Sequence, residues 1–241
     1  MKSARFTIGL LLVASAALAQ PQPTVSMADE PHHALLLSND QVRVYAVSIP
    51  PHTSLPLIQH EHNFLVITLR ECEIASWAEG NAGVITYRYE RDDIRFFFGG
   101  PARALRNDTS AEYRNLTVEF LNPKVTTLGF QPESGHWEYG SSALSPPPDP
   151  QGKFTDVMKL GEAIVKDVQL LPDDEYPEPE KPLVELLIPL TDIDLKSTDQ
   201  RIRKDAEELL WISPGRKSKW INNAGEPARL VVIEFQPSAE N

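Results

Sequence analysis

The chain has 241 residues, 41% hydrophobic and 24% charged, enough for one large or two small domains with real cores. Its single cysteine, Cys72, rules out an internal disulfide and a thiolate-based zinc site. With 34 acidic and 23 basic residues the net charge is -11, the wrong sign for a protein that gains affinity by neutralising phosphates, so no nucleic-acid partner is expected.

Lys2 and Arg5 precede a short apolar run, Ile8-Gly9-Leu10-Leu11-Leu12-Val13-Ala14, and Ala17-Leu18-Ala19 puts small residues where a signal peptidase reads them. The run is shorter than the roughly 20 residues that a spanning helix needs. Residues 1–19 therefore read as a signal peptide cleaved near Ala19, and the product is expected to be secreted or periplasmic. No later segment is apolar enough to span a bilayer, so no membrane span is expected.

Beyond the leader the pattern is β throughout, because strands alternate apolar and polar side chains between their two faces. Residues 42–49 (VRVYAVSI), 64–69 (FLVITL), 84–89 (VITYRY), 94–98 (IRFFF) and 115–120 (NLTVEF) all read as strands. Turn residues such as Glu79-Gly80-Asn81-Ala82-Gly83 separate them. Residues 201–210 (RIRKDAEELL) have helical propensity, but the internal repeat argues for an extended segment there.

That repeat appears when the chain is slid along itself. Val47-Ser48-Ile49-Pro50-Pro51 falls on Val168-Gln169-Leu170-Leu171-Pro172 at an offset of 121. At an offset of 115, Asp93-Ile94-Arg95-Phe96 falls on Glu208-Leu209-Leu210-Trp211, Asn107 on Asn222, and Val118-Glu119-Phe120 on Ile233-Glu234-Phe235. The second copy is thus six residues shorter in its internal loops. Residues 129–152 between the copies hold nine glycines or prolines, including Pro146-Pro147-Pro148, and read as a semi-extended connector. The expected organisation is a leader over 1–19, a barrel over 20–128, a linker over 129–152 and a second barrel over 153–238.

Two segments carry a family pattern. The first is Pro51-His52-Thr53-Ser54-Leu55-Pro56-Leu57-Ile58-Gln59-His60-Glu61-His62. The second is Asp93-Ile94-Arg95-Phe96-Phe97-Phe98-Gly99-Gly100-Pro101-Ala102-Arg103-Ala104-Leu105-Arg106-Asn107. In the second copy, Ser213-Pro214-Gly215 with Asn222 matches the later motif. In order and spacing these motifs resemble those of the cupins, and with the repeat the chain looks like a bicupin. The resemblance implies an all-β protein of two tandem double-stranded β-helix (jelly-roll) barrels, with a homodimer as a common assembly.

In that family pattern two histidines, a carboxylate and a third histidine hold a metal. Here His60 and His62, two apart on a strand, are expected to project together into the first barrel as half of a divalent-metal site. The carboxylate position is taken by Phe64-Leu65-Val66-Ile67, and the third-histidine position by Arg103. A guanidinium has no lone pair to give and stays protonated. Arg103 facing two imidazoles suits a carboxylate or other anion instead, without a cofactor; its structural alternative is an ion pair with Glu119. The second copy puts Lys181 and Leu183 at the histidine positions and has no histidine at all.

The expected function is therefore a small-molecule binding or structural module with His60, His62 and Arg103 lining the first barrel. The competing class is a metal-dependent enzyme of dioxygenase or isomerase type, with one transition metal on His60 and His62. His32-His33, just before the first strand, read as ordinary edge residues, and His52 stands at the family's turn-glycine position.

Overall fold

The computed structural model describes residues 23–80, 83–126, 138–141, 153–181, 183–198, 200–214 and 219–236. The proposed leader lies outside them. They form twenty strands in four sheets, and no helix among them is long and apolar enough to cross a membrane.

The first sheet orders β1 (Thr24–Ser26), β4 (Leu57–His60), β9 (Gly100–Asn107), β6 (Cys72–Ala78) and β7 (Ile85–Tyr89). The second orders β11 (Glu138–Ser141), β8 (Ile94–Phe97), β5 (Phe64–Arg70), β10 (Tyr113–Phe120), β3 (Val42–Ile49) and β2 (His33–Ser38). Together they make the first jelly-roll barrel. The third sheet orders β12 (Lys153–Leu160), β13 (Ala163–Leu170), β20 (Ala228–Phe235), β15 (Val184–Pro189) and β18 (Leu210–Ile212). The fourth orders β14 (Glu175–Tyr176), β19 (Trp220–Asn222), β16 (Ile193–Lys196) and β17 (Arg201–Lys204), completing the second.

The two offsets reappear as strand register. Ile49 pairs with Tyr113 in the first barrel, and Leu170 pairs with Ala228 in the second. Leu65 opposite Phe96 recurs as Leu186 opposite Trp211. The conserved element of the repeat is a polar knot. The Nδ2 of the wholly buried Asn107 donates to the carbonyls of Ile49, Pro50 and Ala111. Asn222 does the same to the carbonyls of Leu170 and Glu226. Each asparagine satisfies backbone acceptors that a barrel corner leaves without a ladder partner.

The central strands of the second and third sheets are buried on both faces. On β3, Tyr45, Val47 and Ile49 point into the first barrel's own core, whereas Val42 and Val44 join a cluster shared with Val165, Leu186, Ile188, Val231 and Ile233 of the other barrel. Double burial explains why β5 and β20 read as nearly unbroken apolar runs rather than clean alternations. The junction is ringed by two ion pairs related by the repeat. Arg229 reaches Asp92 at 2.6 Å and Asp167 at 3.3 Å, and Arg114 reaches Glu207 at 2.5 Å. Asp92 and Glu207 occupy equivalent left-handed turns, at φ of 68° and 69°.

One expectation changes here and another holds. Residues 138–141 of the anticipated connector form β11, an added edge strand on β8. Residues 201–204 form β17, so the helical propensity of 201–210 yields to pairing with β16.

Candidate functional site

The first barrel encloses a cavity of about 50 Å³ between its two sheets. Its polar wall includes His33, His60, Arg103, Tyr87, Tyr89 and Tyr113, and its apolar wall includes Phe64, Phe97 and Ile74. Among the described residues no carboxylate side chain is in that wall. By volume the cavity takes a few waters or a ligand of roughly half a dozen non-hydrogen atoms, far below the several hundred Å³ of a drug-sized site.

β4 and β9 place the first two groups. Ile58 stands opposite Arg103 and His60 opposite Gly100, so a bulge in β9 lets both polar side chains share the inward face. The imidazole of His60 stacks on Phe64 at 4.2 Å, and Phe64 stacks on Phe97 at 5.1 Å. The Arg103 guanidinium sits 5.7 Å from the Phe97 ring centre and 6.0 Å from that of Phe64, and its Nη2 donates to the Phe98 carbonyl at 3.4 Å. Phe64 thus holds the position where a metal-binding carboxylate was expected, and supports an arginine instead. Only 5% of Arg103 is exposed, so its charge acts in a medium of low polarity.

His62 does not join them. β4 ends at His60, and residues 61–63 belong to no strand, so the alternation that would have aligned His62 with His60 is broken and His62 does not line the cavity. The turn is locked by Asn63, whose Oδ1 accepts from the Gly99 N–H at 3.0 Å and whose Nδ2 donates to the Val125 carbonyl at 3.0 Å. Any Cβ on Gly99 would sit 2.8 Å from the His62 backbone, so glycine is required there. Glu119, the acidic neighbour considered for Arg103, accepts from Arg43 Nη1 at 3.3 Å. His52 lies in an exposed turn with φ of 56°, the left-handed shape a glycine normally supplies.

The residue that sequence reasoning passed over is His33. It is buried, and its Nδ1 is 2.6 Å from Glu30 Oε2. Glu30, itself only 2% exposed, also engages His32 Nδ1 at 2.8 Å and the His32 N–H at 2.9 Å. Burial pushes the Glu30 carboxyl upward, but hydrogen bonds from His32 and His33 outweigh it and hold the group below the usual range. Burial also keeps His33 below its ordinary value, despite the opposing pull of Glu30. An ionised Glu30 fixes the proton of a neutral His33 on Nδ1 and leaves Nε2 with its lone pair. The signal available in the sequence was Glu30-Pro31-His32-His33, a proline turn that folds a carboxylate back onto two imidazoles.

The donor set does not fit a transition-metal centre. Two imidazoles reach the cavity, one of them tied to Glu30 through Nδ1, and the place of a third donor holds a permanent cation. Among the described residues no three His, Cys, Asp or Glu side chains gather as a cation would require.

Two pairs of sheets, antiparallel except where β1 joins β4, with this register define the class of the molecule: an all-β protein of tandem double-stranded β-helix barrels, the cupin fold. Solved structures bear this out. A cupin 2 conserved barrel domain protein from Leptotrichia buccalis superposes with a TM-score of 0.55 at 6% identity, over 85% of this chain and 88% of its own. AerE from Microcystis aeruginosa gives 0.57 at 12%, over 86% and 99%. The bacterial pirin YhhW from Escherichia coli, solved with nickel(II), gives 0.60 at 9%, over 85% and 90%. No protein-family model and no curated protein matches the sequence.

Proposed function

We propose that this chain is an exported bicupin whose first barrel binds a small carboxylate or similar small anion, while the second barrel is structural. The observation that carries the reading is Arg103, buried in the wall of a small cavity together with His60 and His33. A guanidinium offers two parallel N–H donors to a planar carboxylate, and low polarity strengthens the attraction. The cavity size restricts the ligand to acids of two to four carbons, by the volume comparison above. The leader directs export, leaving Gln20 as the first residue, which the mass of the secreted protein checks.

The test is a melting screen of the purified mature chain against formate, acetate, pyruvate, oxalate and phosphate. A ligand at about 100 times its Kd stabilises by roughly 2.7 kcal/mol, or about 5–10 °C for a chain of this size. Stabilisation by at least one small carboxylate, lost in Arg103→Gln and weakened in Arg103→Lys, is expected. Equal stabilisation of wild type and Arg103→Gln, or of neither, overturns the reading.

A further inference from the structure

We propose that His33, oriented by Glu30, is a general base that moves protons on a small 2-oxo acid held in the first-barrel cavity. The proposal rests on the anion-binding reading of that cavity and adds an activity to it.

The geometry is that of a carboxylate–imidazole dyad opening onto a ligand-sized space. Glu30 occupies the turn between β1 and β2, and a 3.0 Å bond from the His33 N–H to the Glu30 carbonyl closes that turn. His33, first residue of β2, then carries its ring into the cavity wall, with its edge against Tyr45 at 6.4 Å. With Nδ1 taken by Glu30, Nε2 is the ring atom left for a ligand, and it makes no hydrogen bond among the described residues. The charged and titratable groups around the imidazole are Glu30 and His32 on its own turn, His60 and Arg103 on the first sheet, and Tyr87, Tyr89 and Tyr113 in the remaining wall. At the same offset the second barrel carries Phe154, which is 46% exposed, so the buried dyad has no counterpart there.

The chemistry balances without an oxidant. The carboxylate of a 2-oxo acid pairs with Arg103. His33 Nε2 takes a proton from the carbon next to the carbonyl; the C–H electron pair forms the C=C bond and the carbonyl π pair moves to oxygen as an enolate. The guanidinium and the neighbouring imidazole of His60 disperse that charge. The imidazolium of His33 then returns a proton to carbon. In water the net result is exchange of the proton with solvent, or tautomerisation where the acid has a second position to receive it.

Pyruvate in D₂O tests this, with loss of its methyl proton signal followed by NMR alongside pyruvate-dependent melting. The wild type is expected to exchange the methyl protons at a rate proportional to protein concentration. His33→Gln, assayed at pyruvate concentrations that saturate each protein, is expected to lose exchange by about 10²–10⁴-fold. Glu30→Gln, a positioning change, is expected to lower the rate and move the acidic limb of the pH–rate profile to lower pH, because His33 loses the anion that favours its protonated form. A purely structural Glu30 would leave that limb in place, and this variant serves if His33→Gln does not fold. A melting shift with no exchange above a matched imidazole buffer, or undiminished exchange in His33→Gln, overturns the base and leaves the binding reading intact. No melting shift with any small acid overturns both.

Discussion

The two barrels share a ladder and differ in their ends. Both tie the same corner with a buried asparagine, Asn107 or Asn222, and both turn one sheet onto the other barrel. In the first, β4 pairs with β1 and β9 and seals a small chamber whose wall includes His60 and Arg103. In the second, the counterpart of β4 reads Glu178-Pro179-Glu180-Lys181 after Pro177, and prolines have no N–H to give a ladder. No strand forms there, and a wider opening of about 450 Å³ results, lined by Lys166, Lys181, Glu178 and Glu180 among others. Inside that barrel Trp220 and Tyr176 fill the core, and Tyr176 donates to the buried Glu234, whose other partner is Lys166. Fold identity therefore resides in register and corner residues, whereas the capacity to hold a small polar ligand depends on whether one short strand closes.

The largest asymmetry lies at the junction. Arg229→Met removes the guanidinium shared by Asp92 and Asp167, whose side chains are 16% and 2% exposed, leaving Asp167 only Gln169 among the described residues, and is expected to cost about 3–5 kcal/mol in urea unfolding. Its repeat partner Arg114 pairs with Glu207 at 41% and 31% exposure, so Arg114→Met should cost about 0–1 kcal/mol. Equal losses would mean that the junction is symmetric in energy as well as in sequence. Next come the corner knots. Asn107→Ala leaves three carbonyls without their donor, and Asn222→Ala two, so losses of roughly 3 and 2 kcal/mol are expected at about 1 kcal/mol each.

A smaller effect separates the barrels by pH. Glu30 is held below its usual 4.5, so its contribution is full above that pH and fades as pH falls through the folded value. His33 is held below its usual 6.5; as pH falls past that point the unfolded chain takes up the proton first, and stability declines. Melting temperature should therefore fall from pH 7 toward pH 4, with the part between 6.5 and 5 flattened in His33→Gln. The smallest change is expected from the exposed pairs Arg106–Asp108 and Arg201–Asp194, where either arginine replaced by alanine should leave melting unchanged.

Much of the fold was legible because it is written in local alternation and in a long-range repeat. β3 spans Val42–Ile49 as its pattern reads, and both offsets survive as pairing register. What was hidden depended on tertiary contacts. His62 obeys the alternation in sequence but not in space, because β4 ends at His60 and the Asn63–Gly99 contact fixes the loop that follows. His33 reads as an edge residue until the turn through Pro31 brings Glu30 beneath it. Arg103 was legible by position alone, since an arginine in a donor's place changes the charge a cavity can accept. Its bed of Phe64 and Phe97 was not.

The assignment of the ligand site to one barrel is tested most directly by titration calorimetry with pyruvate on three proteins: wild type, Arg103→Gln and Lys181→Ala, the last altering the second barrel's counterpart of His60. One site per chain is expected in the wild type and in Lys181→Ala, and none in Arg103→Gln. Binding that persists without Arg103, or vanishes with Lys181, would place the site elsewhere and contradict the account.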